Sequence, residues 1–187
     1  MKKIGILAVQ GAFIEHEKMI SDLGYSVAEL RQKSDIKSLD GLVLPGGEST
    51  VQGKLLNDLG MLAPLKELIS SNIPVLGTCA GLILLAQKIS NDPNVYFGSL
   101  PVTVKRNAYG RQLGSFNCHS DFGAHRDVDM TFIRAPYIES VSDGAEILSV
   151  VDEKIVAARY KNQIGISFHP ELGTDTRVHE YFLSFVS

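Results

Sequence analysis

Ile73-Pro74-Val75-Leu76-Gly77-Thr78-Cys79-Ala80-Gly81-Leu82-Ile83 places a short apolar run, a glycine-flanked cysteine and a second apolar run end to end. The first run has the length of a buried strand, and Leu82, Ile83, Leu85, Ala86 and Ile89 follow at helical spacing. A strand, a sharp turn and a helix are what a nucleophile elbow requires, here with cysteine at its apex. Gly77 and Gly81 lack the Cβ atoms that would obstruct so tight a turn. The helix start beyond Cys79 offers unpaired N–H groups and a positive dipole end, which favour thiolate over thiol. Free cysteines are more often core residues than nucleophiles, so the elbow alone does not decide the chemistry.

Working outward, the first half of the chain alternates strand and helix patterns. Ile4 to Val9 is a continuous apolar run, and Phe13 to Leu23 reads as a helix closed by Gly24. Ser26 to Leu30 and Gly41 to Leu44 read as strands, the latter ended by Pro45-Gly46-Gly47. A helix is expected from Ser49 or Thr50, and another from about Met61 to Ser70. Short apolar strands separated by helices indicate an α/β fold with a parallel sheet covered on both faces. From Leu100 onward the pattern changes to short β segments: Val102 to Lys105, Thr131 to Ile133, Ile147 to Val151, Ile155 to Tyr160 and Ile164 to Phe168. Asp152-Glu153-Lys154 marks a hairpin, and a last helix from about Thr176 to Phe185 carries core aromatics. Gln10-Gly11, Pro45 to Glu48 and Cys79 all fall at carboxyl ends of expected strands, where open parallel sheets bind ligands.

A candidate base lies downstream in Ser167-Phe168-His169-Pro170-Glu171. If the strand continues, its period of two lets His169 and Glu171 lean to the same face, with Pro170 stiffening the link. A carboxylate so placed fixes the imidazole tautomer, and His169 then serves Cys79 as general base and later as general acid. The order nucleophile, histidine, acid differs from that of α/β-hydrolases. Gly46-Gly47-Glu48-Ser49 allows backbone N–H groups close to a ligand or into an oxyanion hole, but it lacks the lysine of a phosphate-binding loop.

The chain has 187 residues, 44% of them hydrophobic, enough for one domain spanning 1–187. A net charge of −3 gives no reason to expect nucleic acid or an anionic membrane as partner. Only Cys79 and Cys118 are cysteines, and no signal-peptide pattern or membrane-length apolar run is present, so a cytoplasmic setting without disulfides is expected. Cys118, His119 and His125 invite a metal reading, but their spacing matches no standard zinc pattern. A surface segment is expected there, with no metal and no cofactor.

Taken together, the Cys79 elbow, Gly46-Gly47 and His169-Pro170-Glu171 resemble the class I glutamine amidotransferases, whose glutaminase domains carry a Cys-His-Glu triad on a flavodoxin-like, mostly parallel sheet. Two further segments, Arg106-Asn107-Ala108-Tyr109-Gly110-Arg111-Gln112 and Phe132-Ile133-Arg134-Ala135-Pro136, narrow the resemblance to the glutaminase subunits of pyridoxal 5′-phosphate synthase. The resemblance implies hydrolysis of L-glutamine to glutamate and ammonia, with ammonia passed to a synthase subunit of the Pdx1/PdxS type. It implies Cys79, His169 and Glu171 as the triad, and Gly47, Glu48, Ser49, Arg106, Ile133 and Arg134 as substrate contacts. Ala80 and the Gly46-Gly47 turn would form the oxyanion hole, with Gln10 beside it and near the synthase interface. Val51-Gln52-Gly53-Lys54 departs from the family's pattern. A glutaminase for another synthase, a related cysteine hydrolase and a non-catalytic regulatory module are the alternatives.

Overall fold

The computed structural model describes residues 1–106, 114–142 and 144–187. The first half runs β1 (Lys3–Leu7), α1 (Phe13–Asp22), β2 (Ser26–Leu30), β3 (Gly41–Leu44), α2 (Ser49–Asp58), α3 (Leu62–Ser70), β4 (Val75–Thr78) and α4 (Ala80–Leu85). Strands dominate thereafter: β5 (Ala86–Ile89), β6 (Leu100–Lys105), β7 (Ser115–Phe122), β8 (His125–Ile133), β9 (Tyr137–Val141), β10 (Glu146–Val151), β11 (Lys154–Tyr160) and β12 (Gln163–Ile166). A 3₁₀ turn (Pro170–Leu172) and α5 (Arg177–Leu183) follow.

Among the described residues, ten strands form one sheet in the order β2-β1-β3-β4-β12-β11-β9-β6-β5, with β10 paired to β11. Pairs from β2 across to β12 are parallel, and β11 and β9 then pair antiparallel with their neighbours. Side chains alternate across a strand, and that alternation separates two cores. Ile4, Ile6, Val43, Leu76, Ile164 and Ile166 face one, which Ile20 of α1 and Val178 and Phe182 of α5 complete. Leu7, Leu42, Leu44 and Val75 face the other, closed by Leu56, Leu65 and Leu82 of α2, α3 and α4. Burying each such side chain contributes about 1.5–3 kcal/mol. The parallel sheet with helices on both faces is therefore as the apolar pattern indicates.

One local reading changes, and two strands are present that the sequence reading did not give. The helix after the elbow stops at Leu85, and Ala86–Ile89 is strand β5 beside β6. Every residue of α4 is buried, so no amphipathic stripe marked its end. The carbonyls of Leu84 and Leu85 instead accept from Phe97 N–H and Ser99 N–H, both at 3.0 Å. The segment expected at the surface around Cys118 is β7, which pairs with β8 in a two-stranded ribbon. Its outward residues Ser115, Asn117, His119 and Asp121 are polar and exposed, as a surface segment requires, and alternate with Phe116, Cys118 and Phe122, which pack on the core. Strand β9 is hidden by polarity, because Ile138 is its one fully buried residue. The Asp152-Glu153 hairpin turn is present, both residues having positive φ between β10 and β11.

A carboxylate ties α5 to the β7–β8 ribbon. Asp175 accepts from Arg177 Nε at 2.9 Å, from Arg177 Nη2 at 2.6 Å and from Asp129 N–H at 3.1 Å, while Arg177 also donates to the carbonyls of Arg126 and Asp127. The Arg177 side chain, opposed by burial and aided by the backbone N–H groups of Arg177 and Asp129, holds Asp175 down to about 2 against an ordinary 3.8. A depressed carboxylate stabilises the fold above its unfolded value and ceases to do so as pH falls through its folded value. Asp175→Asn should therefore lower unfolding free energy by about 1 kcal/mol above pH ~4, screened by solvent that reaches the pair. The gap should close as pH drops toward about 2. Urea unfolding across pH tests this, and a gap independent of pH would contradict it.

Candidate functional site

Strands β4 and β12 lie side by side in parallel, with Thr78 opposite Ile166. Their chains leave the sheet at the same edge, and Cys79 N–H donates to Ile166 O at 2.8 Å. Cys79 sits at φ 49°, ψ −99°, a left-handed geometry costing a non-glycine residue roughly 1–3 kcal/mol. It is the apex of the expected elbow. The turn closes because α4 runs hard against β3: a Cβ on Gly81 would lie 1.9 Å from Leu44 O.

His169 and Glu171 meet by a different local route from the one the strand pattern indicated. Strand β12 ends at Ile166, and Pro170 opens a 3₁₀ turn that folds Glu171 back under the imidazole. His169 Nδ1 lies 2.7 Å from Glu171 Oε1, and His169 N–H donates to Thr131 O of β8 at 2.8 Å. Both side chains are almost fully buried. Burial alone would push the imidazole down. Its hydrogen bonds to Cys79 and Glu171, reinforced by their negative charge, outweigh that and push it up to about 10. His169 is therefore held in its protonated form through neutral pH. Such an arrangement presents a sulfur nucleophile together with the acid that can protonate a leaving group.

Cys79 and His169 open into a pocket of about 320 Å³. Gly46, Gly47, Glu48 and Ser49 line one side, Arg106, Ile133 and Arg134 another, and Gln10 the rim. The sequence-predicted residues thus converge, apart from Glu171, which stands behind His169, and Ala80, whose backbone begins α4. Ala80 N–H belongs to the first helical turn, where no carbonyl within the helix can accept from it. Ile133 O is 4.0 Å from Cys79 Sγ. Arg106 pairs with Asp92 at 2.7 Å, whereas Arg134, at φ 42°, has no ion pair among the described residues. Residues 107–112, which belong to the Arg106 segment used in the sequence reading, lie outside the described residues.

Several participants were not legible beforehand. Gln52 Nε2 donates to Gln10 O at 2.9 Å and to Pro45 O at 3.2 Å, and Glu48 N–H donates to Gln10 Oε1 at 2.9 Å. These bonds brace the glycine turn from beneath. A glutamine on the inward face of α2 was the available signal, since buried amides need partners. Ala12, Ile83 and Pro136 supply further pocket wall. Cys118 and His119 are successive residues of β7 and so point to opposite sides, and among the described residues no three His, Cys, Asp or Glu side chains come together as metal ligands.

A profile of the SNO glutamine amidotransferase family matches residues 6–187. The pyridoxal 5′-phosphate synthase subunit PdxT of Desulfitobacterium hafniense is 60% identical over 186 residues, covering 99% of this chain and 94% of the relative. The protein of the same name from Methanocorpusculum labreanum is 53% identical over 187 residues, covering 99% and 98%. A solved structure described as a glutamine amidotransferase superposes with a TM-score of 0.93 at 37% identity, covering 98% of both chains.

Gly46 packs directly on the imidazole, where an added Cβ would lie 2.3 Å from His169 Cε1. Gly46→Ala should displace His169 and slow alkylation of Cys79 at neutral pH by roughly tenfold or more, with circular dichroism unchanged. A wild-type alkylation rate in this variant would show that the contact does not govern the pair.

Proposed function

This chain belongs to the SNO glutamine amidotransferase family, and on that premise we propose that it is the glutaminase subunit of a pyridoxal 5′-phosphate synthase, with residues 1–187 acting as one catalytic domain. The observation that carries the reading is His169, buried and hydrogen-bonded to Glu171, opening with Cys79 into one pocket.

L-Glutamine enters with its side-chain amide toward Cys79. Sγ attacks the amide carbon, and the resulting oxyanion is met by Ala80 N–H and a backbone N–H of the Gly46-Gly47 turn. His169 passes its proton to the amine as the C–N bond breaks, releasing ammonia and leaving a γ-glutamyl thioester. A water molecule, deprotonated by the now neutral His169, attacks the thioester carbon, and glutamate departs with Cys79 regenerated. Glu171 keeps the imidazole oriented through both proton transfers. Arg134 has no ion pair among the described residues, which suits it to the substrate carboxylate, while Arg106 is already half-compensated by Asp92. Glu48, Ser49 and Ile133 complete the contacts on the pocket wall, and Gln10 steadies the turn that supplies an oxyanion donor.

The ammonia is consumed by a separate synthase subunit, so glutaminase turnover is expected to rise when that subunit docks. Two free cysteines and the absence, among the described residues, of a helix long and apolar enough to cross a membrane accord with a cytoplasmic complex.

Ammonia release from L-glutamine, measured with and without the synthase subunit, tests the proposal. Cys79→Ala should abolish release while retaining fold and docking. Arg134→Gln should raise KM about tenfold or more with a smaller change in kcat, as loss of a charged hydrogen bond predicts. A wild-type chain inert toward glutamine in both settings would falsify the reading.

A further inference from the structure

Behind Glu171, three buried groups from distant parts of the chain close together: His16 on α1, His179 on α5 and Thr78 at the end of β4. His16 Nδ1 lies 2.8 Å from His179 Nε2, and His16 Nε2 lies 3.3 Å from Thr78 Oγ1 and 3.4 Å from Glu171 Oε2. Glu171 Oε1 is engaged by His169, but Oε2 makes no full hydrogen bond among the described residues, and neither does His179 Nδ1. A buried carboxylate oxygen without a donor is costly, and the group set against it is His16.

The partners select the tautomers. An ionised carboxylate only accepts, so His16 Nε2 must carry the proton that faces it, shared with Thr78 Oγ1. A neutral His16 then accepts at Nδ1 from His179 Nε2–H, leaving a bare lone pair at His179 Nδ1. The reverse assignment would aim a lone pair at Glu171 and bury an N–H at His179 Nδ1 without an acceptor. Both rings stay neutral. Burial, then His179 and the charged His169, hold His16 well below its ordinary value, and burial brings His179 down to about 4.

We propose that His16 and His179 are positioning residues, which hold the far oxygen of Glu171 through a buried line of neutral imidazoles and so fix His169 against Cys79. The proposal rests on the glutaminase reading for its catalytic consequence. A lysine or arginine in place of His16 would also donate, but its charge would neutralise Glu171 and weaken the field that keeps the proton on His169. A neutral donor orients the carboxylate and leaves its charge available. The groups facing His16 are His179 from α5, Glu171 and His169 from the segment after β12, and Thr78 from β4, which places the line within one electrostatic unit.

The test compares His16→Leu, which removes the donor, with His16→Gln, which restores a neutral N–H near the same place. Iodoacetamide labelling of the full chain across pH, resolved by peptide mass spectrometry, reads Cys79, and half-buried Cys118 serves as an internal control. In His16→Leu, Cys79 labelling at pH 7 should fall about tenfold or more, its rise should move to higher pH, and Cys118 should label as before. Glutaminase kcat in the presence of the synthase subunit should fall in parallel, with KM within about twofold, and His16→Gln should recover most of both. Wild-type labelling in His16→Leu, or equal loss in His16→Gln, would overturn the proposal. If His16→Leu does not fold, His179→Leu carries the test: a smaller loss in the same direction is expected, and unchanged labelling and kcat overturn it. A wild-type chain that releases no ammonia would defeat the glutaminase reading, while the labelling comparison would still decide the role of His16.

Discussion

The parallel pairing of β4 with β12 is the constraint on which the site depends. Thr78 lies opposite Ile166, and the hydrogen bond from Cys79 N–H to Ile166 O carries that register one residue past the end of the strand. The nucleophile and the segment bearing His169 therefore leave the sheet together, from strands far apart in sequence. A slip of one residue would reverse the faces of the strand that moves. The two cores forbid it, since Val75 and Leu76 already face opposite layers, as do Gly165 and its neighbours Ile164 and Ile166.

Onto this rigid edge the chain adds local strain and unfavourable burial. Cys79 occupies a left-handed conformation and His169 is an almost fully buried titratable ring, and neither is stable on its own terms. Each is held by close packing: α4 against β3 at Gly81, and the imidazole against Gly46. The partners of His169 reverse the effect of its burial, so a ring that isolation would keep neutral carries a proton. The same low-dielectric surroundings that penalise an unpaired charge strengthen its pairing. The Gln52–Gln10–Glu48 bonds extend this bracing to the glycine turn.

Much of this arrangement was readable from residue types and spacing. The elbow was legible because glycines, a short apolar strand and a cysteine occur together, and the sheet because apolar strands alternate with helices. The His169–Glu171 partnership was legible as a pair but not as a shape, because Pro170 turns the chain into a 3₁₀ segment where strand periodicity no longer applies. The end of α4 was hidden by uniform burial and β9 by its single buried residue, whereas the alternation of β7 stands in the sequence. His16 and His179 were beyond reach for a different reason. They are 163 residues apart, each a lone histidine on its helix, and only tertiary packing makes them neighbours.

The central physical claim is that Cys79 and Glu171 together keep His169 protonated through neutral pH. Titration of the His169 ring by nuclear magnetic resonance, with the imidazole isotopically labelled, tests it most directly. The account predicts an imidazolium that persists through neutral pH and titrates near 10 in the wild-type chain, with a lower value once Cys79 is replaced by alanine. A His169 that titrates near the ordinary 6.5, with or without the cysteine, would contradict it.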